Sequence, residues 1–179
     1  MTLPNLPTLP SIRQQIDSID EQIQQLINQR AECAKQVALI KRAEDPSIKS
    51  FYRPEREAQV LQMVMERQKA AKDGQHDGLA GETVARLFRE IMSACLALES
   101  PLNIAFLGPN GTFTHAAALK HFGHAALTQP LATIDEVFRE VEAQSVNYGV
   151  VPVENSSEGV VNHTLDCFMG SSLKIIGEV

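Results

Sequence analysis

The sequence contains few cysteines, and their positions do not suggest a site. Its 179 residues include only Cys33, Cys95 and Cys167, which are odd in number, far apart and not spaced like metal ligands. This usage excludes a disulfide scaffold and favours reduced thiols in the core of a cytoplasmic protein, with no metal bound. The N-terminus has no basic segment followed by an apolar one, and no apolar run approaches membrane-spanning length. We therefore expect no export signal and no membrane partner.

Basic residues are scarce in the second half of the chain. Residues 101–179 contain 3 Lys and Arg against 8 Asp and Glu, and residues 1–100 contain 13 against 14. Neither half has the excess of positive charge that nucleic-acid binding requires, so we expect no nucleic-acid partner. The overall composition, with 44% hydrophobic and 21% charged residues, is that of an ordinary soluble domain or pair of small domains.

A long first helix is predicted from the spacing of its apolar residues. Between positions 12 and 40 they alternate at intervals of four and three residues, at Ile12, Ile16, Ile19, Ile23, Leu26, Cys33, Val37 and Ile40. Arg30 occupies the remaining position of this seam, where an unpaired buried charge would cost several kcal/mol. Lys41 lies about three turns further along nearly the same face. The two cations predict a site for a small polyanion.

Two further helices are predicted after this one. After a lead-in over residues 1–10, helices are expected over residues 11–42, 54–72 and 80–99. Ser11 with Gln14 fits a capping box at the first helix start. Because the first helix is too long for the other two to cover, we expect a dimer of long helices.

The second half predicts a parallel α/β sheet. Strands are expected over residues 103–107, 127–131, 148–153 and 173–179, and helices over 114–122, 133–144 and 160–169, the second capped by Thr133 with Glu136. The predicted organisation is therefore multi-domain, with a helical domain over residues 11–100 and an α/β domain over residues 101–179.

The helical half resembles the all-helical class of chorismate mutases. The matching stretches are Ser11–Asp20, Leu26–Arg30, Val37–Lys41, Phe51–Glu57, Arg86–Phe88 and Ser93–Glu99. Members of that class are intertwined homodimers of three-helix chains that convert chorismate to prephenate by an intramolecular Claisen rearrangement. That reaction requires binding and electrostatic stabilisation rather than a cofactor or metal. The resemblance therefore implies chorismate and prephenate as ligands, a homodimer and no cofactor.

The resemblance also assigns roles to individual residues. Arg30 binds one substrate carboxylate, and Arg13 of the other subunit binds the second, because guanidinium groups bind carboxylates bidentately. Arg56 supports that binding, and Lys41 donates to the ether oxygen. Glu57 accepts from the substrate hydroxyl.

Three positions depart from the family pattern. Glu99 stands where many members have glutamine, and a carboxyl group donates to the ether oxygen only when it is protonated. Because Glu99 extends an apolar stripe, we expect a raised pKa and an activity that falls as pH rises. Cys95 replaces a common serine, which weakens a polar substrate contact. Arg53 replaces an aspartate of some members, at a contact that its backbone can make.

The α/β half resembles prephenate dehydratase. The matching segments are Phe106–His115, Gly149–Gly159 and Asn162–Asp166. The resemblance implies a periplasmic-binding-protein-like domain that converts prephenate to phenylpyruvate in phenylalanine biosynthesis. Its cleft residues would be Thr112, Glu154 and Asn155, at the carboxyl ends of strands.

The order of the two halves resembles bifunctional chorismate mutase/prephenate dehydratases. The sequence contains neither the second dehydratase lobe with its Thr-Arg-Phe motif nor the ACT domain of that family. We therefore expect a C-terminally truncated member with an incomplete dehydratase domain, in which the mutase is active and the dehydratase is not.

Two other functions are possible interpretations of the sequence. A non-catalytic helical dimerisation module with a ligand-binding α/β lobe would gain stability from Arg30→Leu, whereas an enzyme would lose turnover. A phosphate-binding transferase built on residues 108–114 is disfavoured because Gly111 is followed by Thr112 and Phe113 rather than by a P-loop lysine.

Overall fold

The first half of the chain is helical, as predicted. The structure, a computed structural model, describes residues 7–48, 51–73, 78–155 and 159–179. The helices are α1 (Leu9–Glu44), α2 (Pro54–Asp73) and α3 (Gly81–Glu99), and α3 packs against both α1 and α2. Among the described helices, none combines the length and the apolar character needed to cross a membrane.

The start of α1 differs from the prediction. Thr8 is the N-cap residue, and its hydroxyl accepts a hydrogen bond from the Ser11 backbone N–H at 3.4 Å. The predicted capping box at Ser11 is therefore wrong, because Ser11 already lies inside the helix. Pro10 falls in the first turn, where a missing N–H removes no helical hydrogen bond, so the helix extends through it.

Most of the predicted seam of α1 is exposed within one chain. The helix has 36 residues and is about 54 Å long. Helix α1 packs against α3, and its C-terminal half carries the buried Ala38 and the partly buried Arg30, Ala31 and Ala34. The exposed apolar residues of the seam are Ile16 at 50%, Ile19 at 53%, Ile23 at 48%, Leu26 at 63%, Val37 at 44% and Ile40 at 57%. The chain itself therefore leaves an apolar stripe of α1 uncovered, as its length predicts.

The second half contains the predicted parallel sheet. Its elements are β1 (Asn103–Leu107), α4 (Phe113–Phe122), β2 (Leu127–Leu131), α5 (Ile134–Glu142) and β3 (Tyr148–Val150). The strand order is β2-β1-β3, and Ile104 is aligned with Thr128 on one side and Tyr148 on the other. The predicted capping box at the start of α5 is confirmed, with Thr133 and Glu136 each accepting from the other's backbone N–H.

Helices α4 and α5 cover opposite faces of this sheet. Ile104 packs with Ala118 and Phe122, on α4. The next residue, Ala105, packs with Val137, on α5. Because successive strand residues point to opposite faces, these contacts place one helix on each side of β1.

Three predictions for the rest of the chain are wrong. Strand β3 ends at Val150 rather than at residue 153, and a short antiparallel pair follows, β4 (Glu154–Asn155) with β5 (Gly159–Val160), before α6 (Asn162–Gly170). Residues 171–179, all of them described, form neither helix nor strand. Their apolar β-branched side chains favour a strand, but a strand also needs a neighbour to pair with. Of the cysteines expected in the core, only Cys95 is buried; Cys33 is exposed and Cys167 is partly exposed.

The helical half packs on the α4 side of the sheet. Tyr52, which precedes α2, is buried with Ile104 and Phe122, and Leu96 of α3 packs against the same cluster. Gly123 ends α4 with φ of 79° and ψ of 168°, and a Cβ there would lie 2.4 Å from the Cβ of Ser93 on α3. The two halves therefore approach each other at a position that only glycine fits.

We expect Gly123→Ala to destabilise the chain. The backbone conformation is essentially restricted to glycine and costs other residues about 1–3 kcal/mol, and the contact with Ser93 adds to that cost. The measurement is the denaturant midpoint, with an unchanged slope against denaturant concentration.

Gly170→Ala is the matched control for this prediction. No atom lies within 4 Å of its ideal Cβ position, and its φ is not positive. We expect a change within about 0.5 kcal/mol. An equal loss of stability in both variants would contradict a special role for Gly123.

Candidate functional site

Glu99, in the last turn of α3, lies close enough to Arg30 and Lys41 of α1 for their charges to act on its carboxyl group. Partial burial raises the pKa of Glu99, while the charges of Lys41, Arg42 and Arg30 act to lower it. The predicted upward direction is confirmed, because the cost of desolvating the carboxylate exceeds the stabilisation from the three cations. The site therefore combines fixed positive charge with a carboxyl group that holds its proton to higher pH than an exposed glutamate.

Arg42 is a member of this cluster that the sequence analysis missed. Its Nη2 donates to the backbone carbonyl oxygen of Glu99 at 2.7 Å. Its guanidinium lies 4.9 Å from the ring centroid of Phe51, and the Lys41 Nζ lies 5.7 Å from the same centroid. The sequence signal was a basic residue in the last turn of a helix, where cations favour the helix dipole. Arg42 ties the end of α1 to the end of α3.

Cys95 lies one turn before Glu99 on α3 and is 3% exposed. Residues four apart share a helix face, so the thiol and the carboxyl group lie on the same side of α3. The side chains of Arg53 and Arg56 are exposed. The backbone carbonyl of Arg53 accepts from the Glu57 backbone N–H at 3.0 Å, which starts the hydrogen bonding of α2.

Glu57 forms hydrogen bonds with two side chains of its own chain, those of Arg89 and Tyr52. Its Oε1 accepts from the Nε of Arg89 at 3.1 Å, and the two side chains are 16% and 27% exposed, respectively. Tyr52 also hydrogen-bonds Glu57, and burial together with the Glu57 charge raises the pKa of Tyr52. The Nη1 of Arg89 donates to the Lys120 carbonyl oxygen at 3.2 Å. Sequence spacing carried no signal for Arg89, because its partners belong to other elements.

Arg13 lies at the opposite end of α1 from Lys41 and is exposed. At 1.5 Å per residue it is about 25 Å from Arg30 along the helix axis. No side chain spans that distance. Arg13 can therefore join this cluster only if it comes from a second chain.

The α/β half places its predicted residues at one edge of the sheet. Thr112 follows β1 and is the N-cap of α4, while Glu154 and Asn155 follow β3, the parallel neighbour of β1. Carboxyl ends of parallel strands meet at the same edge, which is where ligands bind in α/β sheets. Glu154 and Asn155 are exposed in β4.

His115 also lies at this edge, and the sequence analysis did not single it out. Its Nδ1 accepts from the Gly111 backbone N–H at 3.0 Å, and its ring stacks on Phe106 with centroids 4.7 Å apart. The hydroxyl of Thr112 donates to the Pro109 carbonyl oxygen at 3.0 Å. These contacts hold the turn between β1 and α4 in one conformation.

Sequence profiles of two families match this chain in succession. The profile of chorismate mutase type II matches residues 12–100, and that of prephenate dehydratase matches residues 104–179. The chain belongs to these two families, joined in that order. Together the two matches cover both the helical half and the α/β half.

Relatives with both parts align along nearly the whole chain. The bifunctional chorismate mutase/prephenate dehydratase of Stutzerimonas stutzeri is 58% identical over 96% of this chain and 46% of its own length. The protein of the same name from Pseudomonas aeruginosa is 57% identical over the same shares. The chain therefore spans about half the length of these relatives. A crystal structure of prephenate dehydratase from Streptococcus mutans is 42% identical, covering 40% of this chain and 37% of that chain, with a TM-score of 0.37.

Proposed function

We propose that the helical half catalyses the Claisen rearrangement of chorismate to prephenate. The observation that carries this proposal is the cluster of Arg30, Lys41 and Glu99 on a chain that belongs to the chorismate mutase type II family. The substrate is a dicarboxylate, so its recognition calls for fixed cations. The reaction is unimolecular, so a site that holds the compact conformer and stabilises developing charge is sufficient.

Each residue of the cluster has a distinct role in this proposal. Arg30 binds one carboxylate, and Lys41 donates to the ether oxygen as the carbon–oxygen bond breaks. Protonated Glu99 is the second donor to that oxygen, since a neutral carboxyl group has an O–H to give. Arg56 supports carboxylate binding. Glu57 accepts a hydrogen bond from the substrate hydroxyl near the backbone of Arg53. Cys95 lies on the same face of α3 as Glu99.

The active form in this proposal is an intertwined homodimer. The exposed apolar stripe of α1 supports it, because isolated exposed side chains of that size are ordinary but a continuous stripe favours burial against another helix. A second chain would also bring its Arg13 to the substrate's other carboxylate. The homodimer therefore completes the site as well as covering the stripe.

For the α/β half we propose prephenate binding at the carboxyl edge of the sheet. The family match over residues 104–179 and the location of Thr112, Glu154 and Asn155 beside neighbouring strand ends support this role. The relatives' name couples the two activities, so we propose a cytoplasmic enzyme of phenylalanine biosynthesis. The α/β half would belong to a periplasmic-binding-protein-like domain.

We expect Arg30→Leu to lower the rate of chorismate consumption by about 100-fold or more. The reason is the loss of a preorganised cation at the substrate carboxylate. The assay follows chorismate and identifies prephenate and phenylpyruvate separately, which distinguishes the first activity from the second. Stability is measured in parallel by denaturant unfolding.

Lys35→Leu is the matched control on the same helix. Lys35 is exposed and pairs with Glu32 at 3.5 Å, also on the surface, so we expect the activity of Lys35→Leu to match that of the parent chain. If Arg30→Leu raised stability and the parent chain consumed no chorismate, the dimerisation module with a binding lobe would be the correct function instead.

We expect the mutase rate to fall as pH rises through the pKa of Glu99. The pKa is raised from 4.5, so the proton is present below that raised value and is lost above it. Glu99→Gln should remove this limb of the pH profile, because an amide donates at every pH. A rate that did not change with pH in the parent chain would contradict the donor role.

We expect two inactive variants to restore activity when mixed. In a mixed dimer of Arg13→Ala and Arg30→Ala chains, one site has both wild-type arginines and the other has neither. Random exchange makes half of the dimers mixed, so about a quarter of the parent activity should return. Persistent inactivity of a mixture shown to contain mixed dimers would contradict a shared site.

A further inference from the structure

A thiol, an imidazole and a carboxylate converge on the surface of the α/β half. Asp135 lies in the first turn of α5, and His163 and Cys167 lie one turn apart on α6. One potential ligand atom from each residue lies within 4.8 Å of the others. Neither the mutase site nor the sheet edge uses these side chains. The sequence carried a signal for them, since His and Cys four residues apart share one helix face.

The distances within this cluster are close to those of a metal coordination shell. The Nε2 of His163 is 2.7 Å from Asp135 Oδ2. The Cys167 Sγ is 3.8 Å from Asp135 Oδ1 and 3.9 Å from His163 Nε2. Tetrahedral zinc with bonds of about 2.0 Å to nitrogen and oxygen and 2.3 Å to sulfur separates its ligand atoms by about 3.3–3.6 Å. Asp135 approaches His163 through Oδ2 and Cys167 through Oδ1, and one ligand atom from each residue lies within 4.8 Å of the others. Shifts of about 1 Å in these side chains would therefore bring three ligand atoms into that geometry.

We propose that Asp135, His163 and Cys167 bind one zinc ion on the surface of the α/β half. A thiolate, an imidazole and a carboxylate are the protein ligands that zinc takes, whereas Mg²⁺ and Ca²⁺ prefer oxygen ligands only. The side chains of His163 and Asp135 are 56% and 62% exposed. The fourth position of the zinc is therefore open to water.

The negative charge around the cluster favours a bound cation. Partial burial and the nearby carboxylates of Asp135 and Asp166 raise the pKa of Cys167. The same negative charges attract a divalent cation, and coordination replaces the thiol proton with the metal.

Zinc at this position would add a link between α5 and α6. Helix α6 packs against α5, where the rings of Phe138 and Phe168 lie 4.9 Å apart between centroids, and the hydroxyl of the fully buried Thr164 donates to the Pro152 carbonyl oxygen at 2.7 Å. The zinc would bind Asp135 on α5 and both His163 and Cys167 on α6. Ligands that bind only the folded state raise its stability, so zinc should raise the melting temperature of the chain.

The experiment is a titration of the purified, reduced chain with Zn²⁺ and, separately, with Co²⁺ as a spectroscopic probe. We expect one Zn²⁺ per chain by calorimetry, a thiolate-to-cobalt charge-transfer band in the near ultraviolet, and a melting temperature that rises with zinc. Cys167→Ser should abolish the cobalt band. Changes in the groups that hydrogen-bond a metal's ligands weaken metal binding by roughly 10- to 100-fold. His163→Asn and Asp135→Asn change the ligands themselves, so each should weaken zinc binding by more than that.

Two variants control for other thiols and other histidine–carboxylate pairs. Cys33→Ser removes an exposed thiol that has no place in the cluster, and it should keep the band. His124→Asn removes a histidine paired with Glu90 at 2.8 Å, and it should keep the zinc affinity. Excess Mg²⁺ should not compete.

Several results would overturn the proposal. One is the absence of a cobalt–thiolate band in a chain whose circular dichroism shows it to be folded. A second is equal zinc affinity in Cys167→Ser and the parent chain. A third is a band that disappears with Cys33→Ser. None of these readouts depends on turnover of chorismate, so the proposal stands or falls separately from the proposed function.

Discussion

The burial of Phe51 and Tyr52 holds the two halves of this chain in one arrangement. These neighbours, 5% and 6% exposed, precede α2 and contact different groups. The ring of Phe51 lies beside the cations of Lys41 and Arg42 at the end of α1. The ring of Tyr52 contacts Phe122 at 5.6 Å between centroids. One short segment therefore supports the candidate mutase site on one side and the α/β half on the other.

The polar contacts around Tyr52 extend this connection. The carboxylate of Glu57 accepts from Arg89, and Arg89 also donates to the carbonyl of Lys120 at the end of α4. Such charge-assisted bonds are about twice as strong as neutral ones, and here they are partly shielded from water. A residue assigned to the substrate of the helical half is thus joined through one arginine to the α/β half. This contact links the two parts of the chain.

Local rules accounted for the elements and failed at some of their ends. The period of α1 and the capping box at Thr133 were correctly read, because both depend on residues within a few positions of one another. Thr8 rather than Ser11 caps α1, since proline is tolerated in a first helical turn and the helix extends past it. The apolar residues of 173–179 favour a strand, yet strand formation depends on a pairing partner elsewhere in the fold.

The sequence by itself determined the helical and α/β halves, the parallel sheet, and the upward direction of the Glu99 pKa. Each of these follows from spacing along one element or from the polarity of its neighbours. Only the tertiary structure brought Arg42 to Glu99, Arg89 to Glu57, and Cys167 to Asp135. These pairs join residues 57, 32 and 32 positions apart. Such contacts depend on how whole elements pack, because helical periodicity relates only residues on the same element.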